Sequence, residues 1–248
     1  MPILTALVGI GTGILLGLFG SGGTLIAMPA LHFILHVPTR SAIAMGFGII
    51  ALTAAIAAFG YWRRGTIELS VAGLFGISGV CGAYIGARAG ALVPAPIHLL
   101  AFALVMYYSA YRLLLAKTTS RESTARSERL PFVAAYGFAI GGFAGLVGVG
   151  GGFLIVPALI LLWQLPLERA VGTSLVAVAA NSLSGFAGYA GTAVVSYRIM
   201  ALFAGTAIAG TFAGSALHKY LASGVIKLAL GAFLAMAATY MIWQNVNH

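Results

Sequence analysis

Apolar residues fill this chain in long runs, and the polar and basic residues fall between them. Residues 3–36 form one such run of 34 residues. As a continuous helix it would measure about 51 Å at 1.5 Å per residue, too long for one crossing of a hydrocarbon core roughly 30 Å thick. Glycines at 20, 22 and 23 cut it into two pieces, neither long enough to cross well, and Pro38 closes the second. Plain spans are predicted at about 41–61, 69–91 and 97–116, with Tyr61-Trp62-Arg63-Arg64 as an aromatic and basic interface anchor. The hydrophilic stretch Lys117 to Arg129 reads as a solvated cytoplasmic linker. The plan then recurs: a broken segment at 131–163 with its gap at Gly148 to Gly152, and spans at about 170–190, 198–217 and 223–243.

The recurrence is a duplication at a fixed shift of 128. Ten of the 26 positions from 13 to 38 are identical to their partners, without a gap. The match resumes further on: Gly60-Tyr61 pairs with Gly188-Tyr189, and Gly82 and Gly86 pair with Gly210 and Gly214. The chain therefore divides into a first transmembrane repeat (1–116), a polar basic linker (117–130) and a second transmembrane repeat (131–248).

Composition agrees. With 61% hydrophobic and 7% charged residues, against about 25% charged in soluble proteins, this is a helical membrane chain. Its 34 glycines suit close helix approach in lipid. The net charge of +9 does not signal nucleic acid, because the basic residues lie between the apolar runs, as the positive-inside rule places them. Cys81 is alone, so no internal disulfide or cysteine metal cluster is expected, nor any cofactor. No removable signal peptide is read at the N-terminus.

The basic residues also bear on topology. If each broken segment crosses, eight lie inside (Arg63, Arg64, Arg112, Lys117, Arg121, Arg126, Arg129, Arg198) and five outside. If each turns back as a hairpin, Arg169, Lys219 and Lys227 move inside and Arg198 outside, ten against three. The bias favours hairpins. The expected fold is thus an all-α polytopic membrane protein of two inverted-topology repeats, each a broken or re-entrant helical hairpin followed by three transmembrane helices.

Candidate chemistry centres on the two breaks. Gly20, Ser21, Gly22, Gly23 and Thr24 form one tip, and Gly148, Gly150, Gly151 and Gly152 the other. Glycine permits positive φ and leaves amides uncovered. The helix starting after each tip aims its N-terminal N–H groups and partial positive charge at the midplane. Two such ends would hold a small anion without a buried lysine or arginine; the plainer alternative is close helix packing alone. Thr173, Ser174 and Asn181 are polar within a predicted span and are candidates to orient the ligand, with interhelical hydrogen bonding as the alternative. His32 and His36, one helical turn apart, read as an interfacial pair near a helix end. Tyr61 and Tyr189 read as anchors, and His98 as a group near a membrane surface. The chain has no Asp, and its four glutamates (68, 122, 128, 168) fall in or beside predicted loops, so a buried carboxylate relay has no candidate.

The two glycine-rich segments, each leading to Pro-Ala-Leu, resemble the TauE/SafE family of sulfite and organosulfonate permeases. The second copy, Gly145-Leu146-Val147-Gly148-Val149-Gly150-Gly151-Gly152-Phe153-Leu154-Ile155-Val156-Pro157, is the closer match, followed by Ala170-Val171-Gly172-Thr173-Ser174-Leu175. The first copy departs, with Ser21 and Thr24 in place of Val149 and Gly152. The resemblance implies an inner-membrane transporter of small sulfur-containing anions such as sulfite, sulfoacetate or other sulfonates. An anion leaving a negative interior gains about 2.3 kcal/mol per charge per 100 mV, which tilts the expectation to export. A proton-coupled importer and an anion channel remain alternatives. An enzyme lacks a catalytic constellation. The expected partners are the anion and the lipid bilayer, and a homodimer stays open.

Overall fold

The computed structural model describes residues 2–19, 25–115, 130–217 and 223–246, so the first glycine tip and most of the linker lie outside the described residues. Described residues form helices throughout. In the first repeat α1 (Pro2–Phe19) precedes a short α2 (Ala27–Pro29) that widens into a π-turn (Ala30–Ile34). Then come α3 (Thr39–Arg63), α4 (Leu69–Leu92) and α5 (Ala95–Leu115). The second repeat has α6 (Leu130–Val147), α7 (Gly152–Trp163), α8 (Leu167–Tyr189), α9 (Tyr197–Leu217) and α10 (Ser223–Val246). The predicted spans recur within two or three residues. Helices 39–63, 69–92 and 168–189 are each long and apolar enough to cross a membrane. Large apolar side chains such as Ile77, Leu92, Phe212, Met236 and Trp243 stay exposed, as on a surface facing lipid.

The largest helix seams join opposite halves: α4 lies on α6, and α1 on α9. Both are built from glycine. On α6, Gly137, Gly141 and Gly145 press against the carbonyls of Phe75, Gly79 and Ala83 of α4, while Gly82 and Gly86 of α4 press against those of Phe138 and Gly142. In the other seam Gly9 and Gly13 meet the carbonyls of Phe203 and Ala207, and Gly210 and Gly214 meet those of Ile10 and Ile14. Four of the five contacts named for the α4–α6 seam become contacts of the α1–α9 seam on adding or subtracting 128. A Cβ at any of these positions would run into backbone, so only glycine lets the chains approach this closely. Cα–H···O contacts of this kind contribute about 0.5–1 kcal/mol each. In these pairs i meets j′ and their equivalents, i′ and j, meet as well.

Helix directions follow from the same registers. Rising numbers on α6 meet rising numbers on α4, so the pair is parallel; α1 and α9 are parallel likewise. The central pair α3 and α8, each the other's equivalent, runs antiparallel: Phe47 packs on Gly185, and Tyr61 on Gly172.

The half-helices end alike. His36 and Gln164 both take left-handed φ, 53° and 51°. The next amide reaches back six residues, Val37 to the carbonyl of Leu31 at 3.1 Å and Leu165 to that of Leu159 at 3.4 Å, one residue wider than the 6→1 bond of a Schellman motif. Pro38 and Pro166 then open α3 and α8 with ψ of 142° and 145°.

Candidate functional site

The second glycine tip is fully described. Gly148 and Gly151 adopt φ of 88° and 77°, values that cost other L-residues about 1–2 kcal/mol. The amides of Gly148 and Val149 donate to the carbonyl of Ala144, each at 3.0 Å, and close α6. The chain then doubles back: a Cβ on Gly151 would lie 3.1 Å from that of Ala144 and 4.0 Å from Ile140. From there α7 departs, Leu154 and Ile155 donating to the carbonyl of Gly151. It ends with Trp163 edge-on to Phe75 at 6.2 Å, and the Phe75 carbonyl also touches Gly137, well before the turn in α6.

The tip meets both central helices at their midpoints. A Cβ on Gly150 would stand 2.7 Å from Ile50, 2.8 Å from Ser182 Oγ and 3.5 Å from Val178. Ile50 and Val178 are themselves equivalents, 128 apart. The amides of Gly150, Gly151 and Gly152 find no backbone acceptor among the described residues, and no side chain caps α7. The helix dipole of the 12-residue α7 thus starts in the protein interior with bare donors, the arrangement that favours a small anion.

The side chains expected to join this tip go elsewhere. Thr173 Oγ1 accepts the Glu68 amide at 3.0 Å and ties the α3–α4 loop to α8. Nearby, Arg169 and Glu68 stand 3.9 Å apart on the same loop cluster. Ser174 donates to the Val171 carbonyl of its own helix at 2.8 Å. Asn181 faces α4, its amide 2.7–2.8 Å from where a Gly79 Cβ would be, with neither polar atom bonded. Ser182, one residue on and about 100° around the helix, is the one that turns to Gly150. Its hydroxyl is fully buried and has no partner, which ordinarily costs about 1–3 kcal/mol. Gly20, Ser21, Gly22, Gly23 and Thr24 lie outside the described residues.

A family model described as sulfite exporter TauE/SafE matches residues 5–245. The chain belongs to the TauE/SafE family. It is similar to a probable membrane transporter protein of Xylella fastidiosa (strain 9a5c), 30% identical over 256 residues that cover 99% of this chain and 98% of the relative. A probable membrane transporter protein YdhB of Bacillus subtilis (strain 168) is 23% identical over 93% of this chain and 96% of its own length. No solved structure matches. The protein is a multi-pass membrane transporter of the TauE/SafE family.

One expectation needs correction. Tyr189 is not a lipid-facing anchor: it is 1% exposed and bonds His98 Nε2 at 3.3 Å. His98, its partner in the first turn of α5, is buried as well. His32, by contrast, serves its helix end, Nδ1 lying 2.8 Å from the Val37 carbonyl. A cavity of about 350 Å³ between α5, α6 and α7 is lined by Ala101, Leu104, Val105, Tyr108, Phe143 and Leu154 and shows no polar lining. It offers an anion nothing. Among the described residues no cluster of His, Cys, Asp or Glu is placed to hold a metal.

Proposed function

We propose that the protein is a secondary transporter of small sulfur-containing anions, sulfite, sulfoacetate or another organosulfonate, and that it exports them across the cytoplasmic (inner) membrane by alternating access. The observation that carries this is the second tip: a helix N-terminus with bare glycine amides, set against the midpoints of two antiparallel central helices. In inverted-repeat transporters the ligand sits where broken helices meet at the midplane. The reciprocal glycine seams and the antiparallel α3 and α8 favour such an inverted pair, and the doubling back of α6 into α7 favours re-entrant hairpins over crossing segments.

In this reading Gly150, Gly151 and Gly152 supply amide donors from one side, and Gly20 to Thr24 from the other; Gly148, expected among the donors, instead spends its amide on the Ala144 carbonyl and serves the turn through its positive φ. The tip carries no cation, so the anion is held by dipoles and released without breaking an ion pair. The name of the family supports a sulfur oxyanion over other small anions. Export needs no coupling ion, since the membrane potential drives an anion outward.

The experiment is flux of labelled sulfite and a panel of sulfonates in proteoliposomes at a set potential. Saturable flux that follows the potential without a pH gradient supports the exporter. Flux that requires a pH gradient favours a proton-coupled importer, linear flux without saturation favours a channel, and no flux of any of these anions sinks the substrate class.

A further inference from the structure

We infer that Ser182 is the side chain of the second repeat that binds the transported anion, donating its hydroxyl to the same oxyanion held by the Gly150–Gly152 amides. This rests on the transport reading above and adds a specificity-determining residue to it. The hydroxyl is completely buried and unpartnered. It stands beside Gly150, 2.8 Å from the place of a Cβ there, at the N-terminus of a 12-residue helix.

The lack of a partner is itself informative. A serine in a helix normally satisfies itself on a carbonyl three or four residues back. Thr53, Ser78, Ser109, Ser174 and Thr206 all do so, at 2.8–3.3 Å. Ser182 declines the same option and leaves its donor free beside the three bare glycine amides. A free hydroxyl beside bare amides makes a donor-rich cradle with no carboxylate, which suits an oxyanion and disfavours a cation.

The two central helices differ here. Position 54, the equivalent of 182, is alanine, and Thr53, the equivalent of Asn181, spends its hydroxyl on Ile49 and Ile50. Of this pair of helices, α8 therefore supplies the free hydroxyl and α3 does not.

The test compares wild type with Ser182→Ala, and with Ser109→Ala as a serine removed elsewhere. Two quantities are read: the KM of labelled-sulfite flux in proteoliposomes, and the melting temperature of the anion-free protein in detergent. Because the hydroxyl has no protein partner, S182A is expected to melt at or above the wild-type temperature. Its KM should rise about ten- to a hundredfold, the range for a lost hydrogen bond to a charged group, while S109A keeps the wild-type KM. An S182A protein that transports with wild-type KM, or that melts lower or fails to fold, overturns the role of Ser182 and leaves the transport reading in place. Absence of sulfite and sulfonate flux in the wild type overturns both.

Discussion

His36 and Gln164, 128 positions apart, hold the same left-handed backbone conformation, φ 53° and 51°, at the ends of equivalent half-helices. Neither is glycine, so each carries the steric cost of that region. His36→Gly should relieve it and raise stability by roughly 1 kcal/mol, read as a higher melting temperature in detergent. Flux should be unchanged. A variant that loses proton-dependent flux would instead place this histidine in a coupling path.

The glycine seams should be equally intolerant. Gly141→Leu and Gly13→Leu each drive a side chain into the opposing backbone, and overpacking of this kind costs about 1–3 kcal/mol or more. Both should lower the yield of monodisperse protein on size exclusion. A loss confined to one of the two would contradict the equivalence of the seams.

At the tip the expected damage is functional. Gly151→Leu places a side chain where φ is 77° and covers the amides; the protein should insert and purify, but flux should disappear. Gly22→Leu should do the same from the first repeat. Normal flux in either would mean that the tips do not hold the substrate.

Thr173→Val removes the acceptor of the Glu68 amide and leaves a partly buried donor unpaired, at a cost of about 1–3 kcal/mol. Its melting temperature should fall while the KM for sulfite stays within about twofold. A raised KM with unchanged stability would return Thr173 to the binding site.

What the residues disclosed in advance depended on how local the cause was. The second break was visible because a glycine cluster interrupts an over-long apolar run, and the helix starts after Pro38 and Pro166 because proline marks its own position. The face of α8 that meets the tip was not visible. Residues 174, 178 and 181 share a face on a bare helix, but which edge of it meets Gly150 depends on the packing of α7, and that selects Val178 and Ser182 over Asn181. Thr173 looked available for a ligand because its partner, the Glu68 amide, is 105 residues away. The widened turn after Pro29 has no counterpart after Pro157 in α7, and neither sequence nor packing supplies a reason for the difference.

The glycine seams also set a timetable for synthesis. The α4–α6 seam joins Gly79 to Gly141, whereas the α1–α9 seam joins Gly13 to Ala207. At about 5–20 residues per second the ribosome needs about 10–40 s to carry the chain from one to the other. For that time the first helix waits in the bilayer with its glycine face unpaired, so of the two glycine seams the one that begins the chain closes later. The two seams are thus equivalent in the finished protein and unequal in the order in which they form.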